Sequence, residues 1–126
     1  RFSEYEILIK LKCYNINLIL LAGFMRILSK KFIRSFGKSI INIHPSLLPK
    51  FKGLDTFNRV LEEKEKKTGC TVHFVTDKLD AGKIILKKFF YINKNDNIET
   101  LKKKTQNLEY NAFSEAVIKV TRKIIC

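Results

Sequence analysis

Apolar residues along the chain fall into short runs and one long stripe, separated by charged or turn-forming segments. Residues 4–13 (EYEILIKLKC) mix charged and apolar positions without strict alternation, the pattern of the end of an amphipathic helix. NLILLAG (17–23) is apolar at consecutive positions and closes on a glycine, as expected of a strand buried on both faces in a parallel sheet. FMRIL (24–28) reads as a loop. Ser29 is a candidate N-cap for a helix over KKFIRSF (30–36), which Gly37 can end. SIINIH (39–44) reads as a second buried strand. Pro45 and Pro49 then stop regular structure, because each lacks an amide donor and restricts the residue before it.

A helix is expected from Thr56 to about Lys66, where Phe57, Val60, Leu61 and Lys64 give partial helical spacing and Gly69 punctuates the end. CTVHFVT (70–76) is rich in β-branched and aromatic residues and predicts a third strand. DKLDAGK (77–83) is a turn-rich loop, and IILKKFFYI (84–92) resembles a strand at a sheet edge or in a hairpin. Leu101, Leu108, Ala112, Ala116, Val117, Val120 and Ile124 trace an apolar stripe on a long C-terminal helix. No repeat, linker or internal boundary interrupts this order, so residues 1–126 read as one domain with an α/β layer fold.

Composition narrows the function classes. A hydrophobic share of 45% with 29% charged residues suits a folded domain and is too apolar for disorder. The net charge of +13 comes from lysines scattered among apolar residues, in KEKK, LKKFF and LKKKTQ, with no helix-turn-helix pattern and no RNA-binding aromatic signature. Nucleic acid is therefore not an expected partner, whereas anionic small molecules would be steered towards such a surface. Cys13, Cys70 and Cys126 show neither CxxC spacing nor an even count, so neither a disulfide framework nor a metal site is expected. That cysteine usage suits a cytoplasmic location. No run approaches the roughly 18 apolar residues of a membrane span, so no membrane association is expected.

The candidate chemistry gathers around INIHPSLLPKFKG (41–53). Asn42 and His44 are two apart on an expected strand and so project on one side, at the strand end where open parallel sheets bind ligands. An amide and an imidazole aimed at one point can donate to an oxygen that becomes negative during reaction. The plainer alternative is that both cap the strand and satisfy loop backbone groups. Asp80, in TDKLDAG, reads alone as a turn aspartate; beside His44 it would complete an acid and base pair usable near neutrality. His73 shares a strand face with Thr71 and Val75 and reads as a packed, supporting histidine. Glu109 sits at the edge of the apolar stripe, either a boundary residue in water or a ligand contact.

LAGFMRILS, NIHPSLLPKFKG, TVHFVTDKLDAG and QNLEY, in this order and spacing, resemble the C-terminal two-thirds of the phosphoribosylglycinamide formyltransferase family. The resemblance implies an open, mostly parallel Rossmann-like sheet of the formyltransferase type, without its N-terminal strands. It implies formyl transfer from 10-formyltetrahydrofolate, as co-substrate and with no metal, to the amine of glycinamide ribonucleotide in purine biosynthesis. Asn42, His44 and Asp80 match the catalytic asparagine, histidine and aspartate, with Asn42 and His44 on the oxyanion and Asp80 assisting proton transfer. Met25, Arg26, Ile27 and Leu28 match the segment that wraps the folate, with walls from Leu21, Ile33, Ile40 and the loop from Val75 to Asp80. Thr71 and His73 would support them from behind. Glu109 matches the residue that binds the ribose hydroxyls, and the Leu48 to Pro49 bond is cis in the family. A monomer or homodimer is implied.

Three departures qualify the resemblance. Histidines often found near the positions of Asp55 and Phe57 are absent, and the family's EHxxYP is EYNAFS here. The five glycines are far apart with no G-x-G, so the family's glycine-rich phosphate loop is expected upstream of Arg1 and the chain is expected to be N-terminally truncated. An inactive fragment is thus an alternative. A methionyl-tRNA formyltransferase or a formyltetrahydrofolate hydrolase is another, and Pro45 directly after His44 weighs against the tRNA enzyme.

Overall fold

The computed structural model describes residues 3–22 and 27–125. The elements follow the order α1 (Glu4–Cys13), β1 (Leu18–Ala22), α2 (Lys30–Phe36), β2 (Ser39–His44), α3 (Thr56–Glu62), β3 (Lys67–Phe74), β4 (Ile84–Tyr91) and α4 (Ile98–Ile125). Ser29 caps α2 as its position predicts: its Oγ accepts from the Phe32 amide at 3.0 Å, and Gly37 ends the helix at φ 70°. The Glu4 carboxylate in turn accepts from Ser29 N–H and Oγ–H, which ties the first turn of α1 to the start of α2.

The four strands form one sheet in the order β1-β2-β3-β4. The α/β architecture is as expected, but the mostly parallel sheet is corrected to a mixed one: β1 and β2 pair parallel, whereas β2/β3 and β3/β4 pair antiparallel. A parallel neighbour requires a crossover on the sheet face, and α2 supplies one between β1 and β2. Helix α3 packs on α4 instead, so the chain enters β3 in the opposite sense, and the 75–83 loop folds β4 back on β3.

Two boundaries also move. Helix α3 stops at Glu62, just before Lys64 adopts φ 52°. Strand β3 starts at Lys67 and runs through Gly69, read above as punctuation. A Cβ at Gly69 would lie 1.9 Å from the Lys88 carbonyl oxygen on β4, so the glycine permits a close approach between strands.

Apolar residues on the two sheet faces build two clusters. Ile41 and Ile43 of β2 and Cys70 and Val72 of β3 pack under α4 against Ala112, Ala116 and Val120. The two alanines are fully buried, and their small size lets α4 lie close to the sheet. Ile124, the last position of the expected stripe, lies outside the described side chains. On the opposite face Leu28, Phe32, Phe36 and Ile40 pack beneath α1 and α2. Period-2 alternation on β2 therefore sends Ile41 and Ile43 one way, and Ile40, Asn42 and His44 the other.

Candidate active site

Asn42 and His44 occupy the last turns of the β2 pleat, and the antiparallel register places Asn42 opposite His73 and His44 opposite Thr71. Four polar side chains thus share one patch of an otherwise apolar face. Asp80 comes to them from the loop after β3, in a left-handed conformation (φ 48°) that aspartate tolerates better than most residues. Its Oδ2 lies 3.5 Å from His44 Nδ1, with side chains 7% and 8% exposed, and its Oδ1 lies 3.9 Å from His73 Nε2.

Main-chain groups set the orientation of each ring. His44 Nε2 donates to the Phe51 carbonyl at 2.8 Å, which puts a proton on that nitrogen and aims Nδ1 at Asp80. The Gly53 amide donates to Asp80 Oδ2 at 2.8 Å. His73 Nδ1 donates to the Phe74 carbonyl at 2.9 Å, leaving Nε2 to accept from Asn42 Nδ2 at 3.5 Å. That contact turns Asn42 Oδ1 to a buried position where it has no partner among the described residues. An unpaired buried acceptor costs about 1–3 kcal/mol, so the site stores an unmet demand for a donor.

Behind these groups, fully buried Thr71 pins the proline-rich loop: its Oγ1 donates to the Ser46 carbonyl at 2.7 Å and accepts from the Leu48 amide at 3.0 Å. The Leu48–Pro49 bond is cis.

Asn42, His44 and Asp80 all face a cavity of about 610 Å³, bounded across from them by Leu54, Phe57 and, on α4, Lys102 and Glu109. Glu109 also lines a second cavity, of about 720 Å³, between α4 and β1, with Leu20, Ala22 and Phe113 on its walls. Burial pushes the Glu109 carboxyl up from its ordinary value. Burial, reinforced by the Glu109 charge, pushes the Cys70 thiol up to about 12, which makes it an unreactive core residue.

A carboxyl raised in the fold burdens the folded state only when ionised. The burden is absent below the unfolded value of 4.5, grows as pH rises through the raised folded value, and is complete above it. Glu109→Gln is therefore expected to raise the melting midpoint at pH 7 and to leave it unchanged at pH 4. Equal shifts at both pH values would show that ionisation is not the cause.

Residues 1–117 match the family described as formyl transferase. The chain belongs to the formyl transferase family. Phosphoribosylglycinamide formyltransferase of Haemophilus influenzae is 44% identical over 98 residues, covering 78% of this chain and 46% of the relative. The trifunctional purine biosynthetic protein adenosine-3 of Gallus gallus is 46% identical over 104 residues, 82% of this chain and 10% of the relative. Among solved structures, phosphoribosylglycinamide formyltransferase from Anaplasma phagocytophilum superposes with a TM-score of 0.91 at 35% identity, covering 97% of this chain and 60% of that one. This formyl transferase chain thus spans about half the length of the Haemophilus relative and a tenth of the trifunctional one.

Within the formyl transferase chain, the structure brings Asn42, His44, Asp80, Thr71 and His73 together. Leu21, Ile27, Leu28 and Asp80 line a void of about 30 Å³ beside Asn42 and His73. Ile33 and Ile40 pack in the cluster beneath α1 and α2 and line neither this void nor the larger cavities. Met25 and Arg26 lie outside the described residues. Sequence reasoning missed the Phe51 carbonyl and the Gly53 amide, which hold His44 and Asp80. Gly53, at φ 83°, left a trace as a glycine closing a loop; the left-handed Phe51, at φ 56°, left none.

Proposed function

We propose that residues 1–126 form the catalytic part of a phosphoribosylglycinamide formyltransferase, moving a formyl group from 10-formyltetrahydrofolate to the amine of glycinamide ribonucleotide. The observation that carries this reading is the approach of Asp80 to His44, at 3.5 Å, beside an Asn42 amide whose Nδ2 has a second N–H beyond its one contact with His73.

The amine lone pair attacks the formyl carbon, a C–N bond forms and the carbonyl electrons move onto oxygen. Asn42 Nδ2 donates to that oxyanion through the N–H not taken by His73. His44 contributes through Nδ1 in its doubly protonated, imidazolium form, since Nε2 keeps its own proton on the Phe51 carbonyl. The 3.5 Å gap to Asp80 exceeds an ordinary N–H···O bond, so an Nδ1 proton has room to divide between the carboxylate and the developing oxyanion. When the intermediate collapses, the bond to the folate nitrogen breaks, that nitrogen gains a proton, and the former amine loses one. Asp80 and His44 relay this proton. Each oxyanion donor in such a site is worth roughly 100- to 1000-fold in turnover.

The void of about 30 Å³ beside Leu21, Ile27 and Leu28 is too small for a pterin ring, so the folate would occupy the cavity of about 610 Å³, which Ile27, Leu79 and Asp80 also line. Glu109, at the junction of the two larger cavities, is placed to accept from ribose hydroxyls.

The test is to supply the gene product with formyl folate and glycinamide ribonucleotide and to follow tetrahydrofolate release. Release that needs both substrates is expected. Release without the amine would indicate a hydrolase, and absence of both transfer and formyl-folate binding would remove the proposal.

A further inference from the structure

Four consecutive residues between β2 and α3 offer main-chain groups to four side chains. The carbonyls of Lys50, Phe51 and Lys52 accept from Ser46 Oγ (2.7 Å), His44 Nε2 (2.8 Å) and Arg59 Nη2 (2.6 Å), and the Gly53 amide donates to Asp80 Oδ2 (2.8 Å). One short segment therefore touches both members of the His44 and Asp80 pair. It does so in a conformation that is not self-sustaining: Phe51 has φ 56°, where a side chain costs about 1–2 kcal/mol, and Gly53 has φ 83°. Something outside the segment must hold it.

Arg59 meets that requirement. It projects from α3, next to the buried Val60 that anchors the helix. While its guanidinium donates to the Lys52 carbonyl, its Cζ lies 5.7 Å from the Phe51 ring centroid. A planar cation can bond in its plane and pack over a ring face at once, a combination that neither lysine nor glutamine reproduces. Its Nε is buried and has no partner among the described residues, so the side chain gives up hydration to reach this position.

We propose that Arg59 is a positioning residue: by clamping Phe51 and Lys52 it keeps the Phe51 carbonyl on His44 Nε2, and so decides which imidazole nitrogen faces Asp80. Its consequence for catalysis rests on the function proposed above; its effect on the histidine does not. Without the clamp, Phe51 leaves the left-handed region, its carbonyl turns away, and His44 is free to carry its neutral-state proton on Nδ1.

The experiment is 15N NMR of the two imidazoles, at a pH where both are neutral, in the 126-residue protein and its Arg59→Ala, Arg59→Gln and Arg59→Lys variants. His73 is the internal reference, because its ring is held by Phe74 and Asn42 and meets the 50–53 segment only at second hand, through Asp80 at 3.9 Å. In the parent protein His44 is expected to be the Nε2–H tautomer, with the other form below about 10% as a minor state. Arg59→Ala is expected to raise that minor form several-fold with His73 unchanged; Arg59→Gln and Arg59→Lys should fall between. An unchanged His44 spectrum in folded Arg59→Ala overturns the proposal, as does a parallel change at both histidines, which would mean general loosening. If Arg59→Ala does not fold, Arg59→Gln decides by the same criteria. A shifted tautomer in a protein that transfers no formyl group would leave the clamp standing and remove only the function.

Discussion

Asp80→Asn is expected to lower formyl transfer by about 100- to 10,000-fold, the range seen when an oxyanion donor or the acid that orients a catalytic histidine is neutralised. The substitution is clean for three reasons. Asparagine is tolerated at the φ of 48° that Asp80 adopts. Its side-chain oxygen can still accept from the Gly53 amide, so the loop keeps its anchor. Its volume is unchanged, so the neighbouring void and formyl-folate affinity should be little altered. What disappears is the negative charge 3.5 Å from His44 Nδ1 and 3.9 Å from His73 Nε2, which in the proposed mechanism is the base that shares the proton leaving the amine. The comparison is turnover and folate binding in the active gene product. Turnover equal to the parent would refute the role, and loss of folate binding in parallel with turnover would show that Asp80 holds the ligand rather than the proton.

Gly69→Ala is expected to cost at least about 3 kcal/mol of stability, a large share of the roughly 5–15 kcal/mol that holds a typical domain together. A methyl group there would lie 1.9 Å from the Lys88 carbonyl oxygen and 2.7 Å from the Phe89 Cα, both main-chain atoms of the paired strand. No rotamer change relieves such an overlap, so β3 and β4 would have to part. Gly53→Ala is the informative contrast. Its Cβ would make an ordinary 3.7 Å contact with Leu79, leaving only the left-handed backbone penalty of about 1–2 kcal/mol. Thermal melts of the two variants should therefore differ clearly in midpoint, with Gly69→Ala the lower. A Gly69→Ala midpoint close to that of the parent would mean that the strands do not approach so closely.

Much of the architecture is legible in the chain because each element carries its own local signal. Ser29 and Gly37 bracket α2 through capping geometry that involves only neighbours in sequence, and both act as their positions predict. The alternation of SIINIH suffices to place Asn42 and His44 on one side of β2. Strand direction is less accessible, since the run of β2, α3 and β3 reads like a parallel crossover unit. Only the antiparallel register of β2 and β3 reveals that the chain turns back. Gly69 misled for a related reason: a glycine that ends a helix and one that admits a carbonyl oxygen from another strand are the same letter.

Composition, periodicity and motif order by themselves determined the α/β class, the two-residue spacing of the Asn42 and His44 pair, the cap residues and the family. These depend on interactions within a few residues, or on a pattern written directly into the chain. Tertiary structure alone decided that Asp80, 36 positions beyond His44, stops 3.5 Å from its ring. It also decided that the Phe51 carbonyl selects the protonated nitrogen, that Asn42 keeps an unsatisfied oxygen, and that Glu109 sits where burial raises its carboxyl. Those facts turn on distances of a few tenths of an ångström between separate segments and on how much water the packing excludes, and neither quantity exists until the segments meet.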